Sequence, residues 1–494
     1  MSRIRKRYIY LLLGGALLLM LSGCGDSAAT TGTLHIYPNG KTSWIGDPIP
    51  FYDGKSFQVF YLDDLRDGAS GYHPWSLYTT ENLINYTDRG IAIPYAESPS
   101  AKDHALGTGS VIQGGDGLYH AFYTGHNDGL GQKEAIMEAV STDLVHWRKS
   151  EGIVMAPSET YSTTDFRDPH VVYIKENAEY WMLVTTRQNN IGIIAKFVSK
   201  DLKTWTDAGM FFRNDMGTDS NMECPTLLQF GSFWYLTFSD QSPNRVVHYR
   251  IAKKPEGPFT KPEEDTFDSN GFYAGKTVTD EKNLYMFGWI PTRESYDDSK
   301  PYDWGGSLAA HQLEQHEDGT LYCGAPSSIV QAMDHKQPLN VLTQSKSVKK
   351  QSNSFYFSGN GFEFIQLDGW KGSVKITGSL ETETDQGTFG ICFNQETNGE
   401  APLNYVFSAN EQKLKFYNFN TSLLQNEKAN SERSLFLQPK KEVQFTFLAD
   451  DSAAVLYIEG QGALSTRMFS MPGKPWGFFS QDAKLTIKNL QISN

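Results

Sequence analysis

Hydrophobic residues along the chain come in short bursts. Five apolar, aromatic-rich runs stand out: FQVFYL at 57–62, YHAFYT at 119–124, YWMLVT at 180–185, FWYLTF at 233–238 and LYMFGW at 284–289. Such short runs, bounded by turn formers, have the length and composition of buried strands. Their starts step by 62, 61, 53 and 51 residues. Behind the first three lies a second echo, TTENLINYTDRG from Thr79, STDLVHWRKSEG from Ser141 and SKDLKTWTDAG from Ser199, with a looser AKKPEGPFTKP from Ala252 after the fourth. Roughly ten residues ahead of each run comes a small or acidic cluster: Gly46-Asp47-Pro48, Thr108-Gly109-Ser110, Arg167-Asp168-Pro169, Glu223-Cys224-Pro225 and Tyr273-Ala274-Gly275. Repeating units of short strands, with no helical period in between, predict four-stranded blades. Five of them would close radially into an all-β, five-bladed β-propeller over residues 35–330. Equivalent positions of different blades then face one central channel. From about residue 329 the echo stops. Runs at 354–357, 373–376, 389–393, 414–417, 443–447 and 454–458, separated by polar turns, predict a C-terminal β-sandwich over 331–494 with a supporting or sugar-binding role.

The start of the chain has a different pattern. Arg3, Arg5, Lys6 and Arg7 precede a 14-residue apolar run at 8–21. This is shorter than the ~20 residues that span a bilayer, so it predicts a signal peptide over 1–23. The run ends in Leu21-Ser22-Gly23-Cys24, which resembles a bacterial lipobox. Cys24 is therefore the predicted lipidation site, and 24–34 a lipidated cysteine with a flexible tether. The protein is expected outside the cytoplasm, touching the membrane only through its lipid anchor.

Composition narrows the chemistry. The chain has 494 residues, 39% hydrophobic and 13% aromatic, with 44 Gly and 21 Pro, which suits a turn-rich protein with a large core. Its net charge is 44 − 57 = −13, and removing residues 1–23, with four basic and no acidic residues, leaves −17. Without a basic footprint, nucleic-acid binding is excluded and neutral substrates are favoured. Of Cys224, Cys323 and Cys392 at most two can pair, so no disulfide framework holds this fold.

Three of the five clusters carry acids, Asp47, Asp168 and Glu223. A propeller would aim them into one pocket, where mutual repulsion raises at least one pKa. Cleaving a glycosidic bond requires such equipment: a carboxylate that attacks or activates water, an acid that protonates the leaving oxygen, and often a third group that grips the sugar.

At these residues the sequence resembles glycoside hydrolase family 32, the invertases, levanases and inulinases. The signatures stand as Trp44-Ile45-Gly46-Asp47-Pro48-Ile49-Pro50, Phe166-Arg167-Asp168-Pro169 and Met222-Glu223-Cys224-Pro225, joined by GTGS at 107–110, FYTG at 122–125 and GFYA at 271–274. The resemblance implies a propeller with an appended sandwich, and a retaining double displacement on β-fructofuranosides of levan or inulin type or on fructo-oligosaccharides. Asp47 would be the nucleophile, Glu223 the acid/base and Asp168 the transition-state stabiliser, with Arg167 beside it and no metal or organic cofactor. The family's Asn before the nucleophile is Gly46 here, its Asn-Gly after the proline is Ile49-Pro50, and its Tyr-Gln pair is replaced within Tyr61-Leu62-Asp63-Asp64. Transfer to another hydroxyl, forming difructose anhydrides, fits the same equipment. So do an inverting family 43-type arabinanase or xylosidase, and a non-catalytic glycan-binding surface lipoprotein.

Around this core, Trp44, Trp75 and Trp304 are candidates to stack on sugar and Ser110 to contact it. His73, His126 and His170 lack metal-site spacing and are expected in core or surface roles. Asp63, Asp64 and Asp67 read as a solvated turn, and the polar loop at 292–303 as the wall of a subsite.

Overall fold

The computed structural model describes residues 34–40, 43–65 and 73–494. Cys24, the expected signal, the tether up to residue 33, and Asp67 lie outside the described residues. Strands dominate. The first group comprises β1 (Trp44–Tyr52), β2 (Phe57–Asp64), β3 (Trp75–Thr80) and β4 (Thr87–Ile93); the second, β5 (Ala105–Gln113), β6 (Tyr119–His126), β7 (Glu134–Ser141) and β8 (Trp147–Lys149). The third holds β9 (Phe166–Ile174), β10 (Glu179–Gln188), β11 (Ile191–Ser199) and β12 (Thr206–Arg213). A fourth has β13 (Met222–Phe230), β14 (Phe233–Asp240) and β15 (Val247–Ala252); the fifth, β16 (Tyr273–Thr279), β17 (Leu284–Arg293), β18 (Tyr302–Gln315) and β19 (Leu321–Gly324). Within each group neighbours in sequence pair antiparallel, and the first and fifth are joined by the pairing of Ile45 with Gly306. The fourth differs from the expected four strands: beyond β15 only isolated bridges, His248 to Thr266 and Ile251 to Thr260, continue the sheet.

The five apolar runs are the second strands, β2, β6, β10, β14 and β17, buried along most of their length. The first strands touch one another in sequence, β1 on β5, β5 on β9, β9 on β13, β13 on β16, and β16 on β1 again. The second echo has a local cause. Asn82, Asp143 and Asp201 each accept two backbone N–H groups from the residues that follow, folding the turn after the third strand.

A short α-helix, Ser327–Ala332, separates these sheets from an eight-stranded and a seven-stranded sheet built from the rest of the chain. Their facing apolar side chains, among them Phe393, Tyr405, Phe447 and Trp476, form one core. A second core crosses the boundary, packing Val455, Tyr457 and Ala463 with Phe267, Ile290 and Leu308. Arg467, fully buried, reaches from the sandwich to donate to the Ile290 and Pro291 carbonyls of β17 and to Ser307 Oγ. Cys224, Cys323 and Cys392 are all buried free thiols.

Candidate active site

All five first strands carry a bulge at the same place. Two residues face one on the partner strand between Gly46 and Ile49, Leu106 and Gly109, Arg167 and His170, Glu223 and Thr226, and Tyr273 and Lys276. A bulge bends the strand and re-aims a side chain. Four of the clusters read from the sequence are these bulges, whereas Thr108-Gly109-Ser110 sits two residues further along than its bulge at 107–108 would place it. Asp47, Asp168, Cys224 and Ala274 take up φ values of 38°, 59°, 54° and 52°, a left-handed conformation rare for non-glycine residues. The acids were expected at one phase of the repeat. Asp47 and Asp168 do share the first bulge position, but Glu223 stands one residue earlier, level with Gly46, Arg167 and Tyr273.

The three carboxylates converge nonetheless. Burial, reinforced by the negative charges of Asp168 and Glu223, pushes Asp47 up to about 7. Asp168 is pushed up to about 6, chiefly by burial, with Arg167 pulling against it and Glu223 adding to it. Each acid is held. Trp289 Nε1 donates to Asp47 Oδ1 at 3.3 Å, and the Cys224 N–H freed by its bulge donates to Asp168 Oδ2 at 2.9 Å. Arg167 Nη2 donates to Glu223 Oε1 at 2.9 Å and Tyr273 Oη to Glu223 Oε2 at 2.6 Å. Arg167 is itself gripped by Asp165 and Glu134, at 3.1 and 3.4 Å.

Beneath the acids lies Lys276, buried on β16, its ammonium donating to the Gly109 carbonyl and attracted to Asp168 and Asp47. Tyr273, Trp289 and Lys276 were not anticipated. The GFYA motif contains Tyr273, and the common bulge register would have singled out that tyrosine and Lys276.

Three sequence expectations are corrected. Trp75 is fully buried against Phe60 and Tyr123, its indole N–H on the Gly107 carbonyl, so it is a core residue that no sugar reaches. Ser110, 6% exposed, is a staple between strands: its Oγ donates to the Pro169 carbonyl and accepts from the Val171 N–H. Asp63 and Asp64 form no solvated turn but end β2 in a buried setting, Asp63 accepting from Ser76 Oγ at 2.8 Å. The Arg167 guanidinium donates to Glu223 and also pulls on the neighbouring Asp168.

Trp44 is partly buried under the Arg467 guanidinium, 5.2 Å from its ring, and Trp304 is partly buried over Gly46. His73 stacks on Trp304 at 4.4 Å, and His126 pairs with Glu134 and Asp128. Burial pushes His170 down to about 3, with its Nε2 at the Leu227 carbonyl. Among the described residues no group of three or more His, Cys, Asp or Glu could hold a metal. Beside Tyr273 and Trp289 opens a cavity of about 380 Å³, walled by Arg245, by Lys300 and Asp303 from the 292–303 loop, and by Asn430 of the sandwich.

Known proteins share this organisation. A raffinose invertase of Escherichia coli is 24% identical over 333 residues, 62% of this chain and 67% of the relative. A sucrose-6-phosphate hydrolase of Bacillus subtilis is 29% identical over 53% of this chain and 56% of the relative, and a levanbiose-producing levanase of the same organism 28% identical over 53% and 48%. The chain thus spans about half to two thirds of the length of these relatives. Among solved structures, the sucrose-6-phosphate hydrolase of Lactobacillus gasseri superposes with a TM-score of 0.71 at 19% identity, covering 94% of this chain and 93% of the other. The exo-inulinase of Aspergillus awamori does so at 0.71 and 16%, covering 94% and 97%. The sequence profile of the glycosyl hydrolases family 32 N-terminal domain matches residues 35–323, through every bulge that carries an acid, and the chain belongs to that family.

Proposed function

We propose that the protein cleaves β-fructofuranosidic bonds of fructans of levan or inulin type, or of fructo-oligosaccharides, with retention. The observation that carries this reading is the meeting of Asp47, Asp168 and Glu223 in one site on three first strands, with every carboxyl hydrogen-bonded. The relatives support the fructosyl group as the common substrate part, being an invertase, sucrose-6-phosphate hydrolases and levanases. The ring of touching first strands supports a five-bladed propeller as the frame.

Trp289 occupies Oδ1 of Asp47, so Oδ2 attacks the anomeric carbon and forms the fructosyl ester. Glu223 gives its proton to the leaving oxygen as the glycosidic bond breaks, then takes one from the water that cleaves the ester, releasing Asp47. Asp168, fixed by the Cys224 N–H, accepts from the ring hydroxyls and favours the oxocarbenium-like state. Interacting carboxyls titrate as a set. Asp47 must be ionised when it attacks, so its raised pKa sets the acid limb of the reaction.

Export and anchoring through lipidated Cys24 are part of the proposal, supported by the basic head, apolar run and LSGC motif. Radiolabelled palmitate incorporated by the intact protein and lost in Cys24→Ala tests the anchor. Incubation with levan, inulin, sucrose and arabinan, with products separated by chromatography, tests the reaction. Fructose or short fructo-oligosaccharides are expected. Cleavage of arabinan alone, or undiminished activity in Asp47→Ala, would overturn the reading.

A further inference from the structure

Gly46 precedes the nucleophile, yet no unusual φ requires a glycine there. The reason is space. A Cβ built on Gly46 would lie 2.2 Å from Cη2 and 2.4 Å from Cζ2 of Trp304, closer than any real contact. The outer edge of the Trp304 indole therefore fills the volume that a side chain at 46 would use. Trp304 also leans on Trp289, ring centroids 5.8 Å apart, and Trp289 is the donor to Asp47. Trp289 in turn meets Tyr273 edge-on at 6.0 Å, and Tyr273 is the donor to Glu223. Trp304, Trp289, Tyr273, Cys224 and Ala274 form one apolar cluster behind the acids. On its open side Trp304 is covered by His73, stacked nearly parallel at 14°.

We propose that Trp304 is the positioning residue of Asp47, filling the space that a side chain at 46 would take. This rests on the fructosidase reading. Asp47 sits at a left-handed bulge, and its aim depends on what holds the backbone on either side. Trp304 presses on the residue before it, and through Trp289 on the carboxylate itself. A glycine at 46 and a tryptophan at 304 are thus one device: enlarging the first displaces the second.

The test is a double-mutant cycle on the full chain: parent, Gly46→Ala, Trp304→Leu and the double variant, with Trp304→Phe as the conservative control. The expected result is a loss of kcat on the parent's best fructoside by about 10²-fold in Gly46→Ala, the usual effect of a displacement near 1 Å, with KM changed far less. Adding Trp304→Leu should restore part of that loss, because the added methyl then has room, and Trp304→Phe should keep more activity than Trp304→Leu. Effects of the two sites that simply multiply, or an unchanged kcat in Gly46→Ala, would overturn the proposal.

A second readout needs no substrate. The groups facing Asp47 are Asp168, Glu223 and Lys276, with Arg167 on Glu223 and His73 across Trp304. Subtracting the pH-dependent tryptophan emission of Asp47→Asn from that of the parent isolates the signal of Asp47 at Trp289. That difference is expected to shift in Gly46→Ala and to move back in the double variant. A parent that cleaves no fructoside but shows this shift refutes the fructosidase reading and keeps the positioning role; a difference signal identical in all four proteins refutes the positioning role.

Discussion

Replacing Asp47 by asparagine should abolish turnover and, at alkaline pH, stabilise the fold. The side chain stays the same size and its Oδ1 can still accept from Trp289. Only the charge is lost. Lifting a carboxyl from 3.8 to about 7 amounts to roughly 4 kcal/mol against the ionised form, at about 1.36 kcal/mol per pKa unit. Part of the side chain faces solvent, which screens charge, so about half of that, roughly 2 kcal/mol, is a fair expectation. The sign follows from linkage. A carboxyl raised in the native state binds its proton more tightly when folded, so ionisation opposes folding. The penalty is absent below 3.8, grows as pH rises, and is complete above about 7. Unfolding residues 34–494 together carries an entropy near 1 kcal/mol/K, so Asp47→Asn should raise Tm by about 2 °C at pH 8 and by close to nothing at pH 4. Scanning calorimetry at both values measures this. An equal change at the two pH values, or a lower Tm at pH 8, would refute the idea that the nucleophile is held in a site hostile to its charge.

The rate against pH should climb through about 7 as Asp47 ionises; a rate already at its maximum at pH 5 would contradict a carboxylate held against its charge. Lys276→Met removes the cation that attracts both aspartates, so the climb of that profile should move to higher pH, and the uncompensated carboxylates should lower Tm. In Tyr273→Phe the hydrogen bond to Glu223 is lost, worth about 1.5 kcal/mol or more to a charged group, and kcat should fall by about tenfold in steady-state assays.

The sequence was most legible where chemistry repeats. The five apolar runs, four of the five bulge clusters, the three acids and six runs of the sandwich could be read without coordinates, because apolar runs and turn chemistry are local. Contacts across the ring could not. Trp75 and Ser110 look like sugar ligands by type and position, but one fills the space between β2 and β6 and the other ties β5 to β9. Asp63 and Asp64 resemble a turn because acids usually are solvated, yet β2 continues through them. The offset of Glu223 from Asp47 and Asp168 is a matter of whether the acid stands in the bulge or on the paired residue before it, and only the pairing of β13 with β14 settles that.

Arg467 ties the sandwich to the strand that carries the donor to Asp47. It holds the Ile290 and Pro291 carbonyls, and the residue before them is Trp289. A gene truncated after residue 330 would therefore yield a ring whose donor to the nucleophile has lost its outer support. The two halves are poor material for domain shuffling: a sandwich grafted from another member of the family would have to bring its own arginine to this strand. The aim of Asp47 thus depends on residue 467, 420 positions further along the chain.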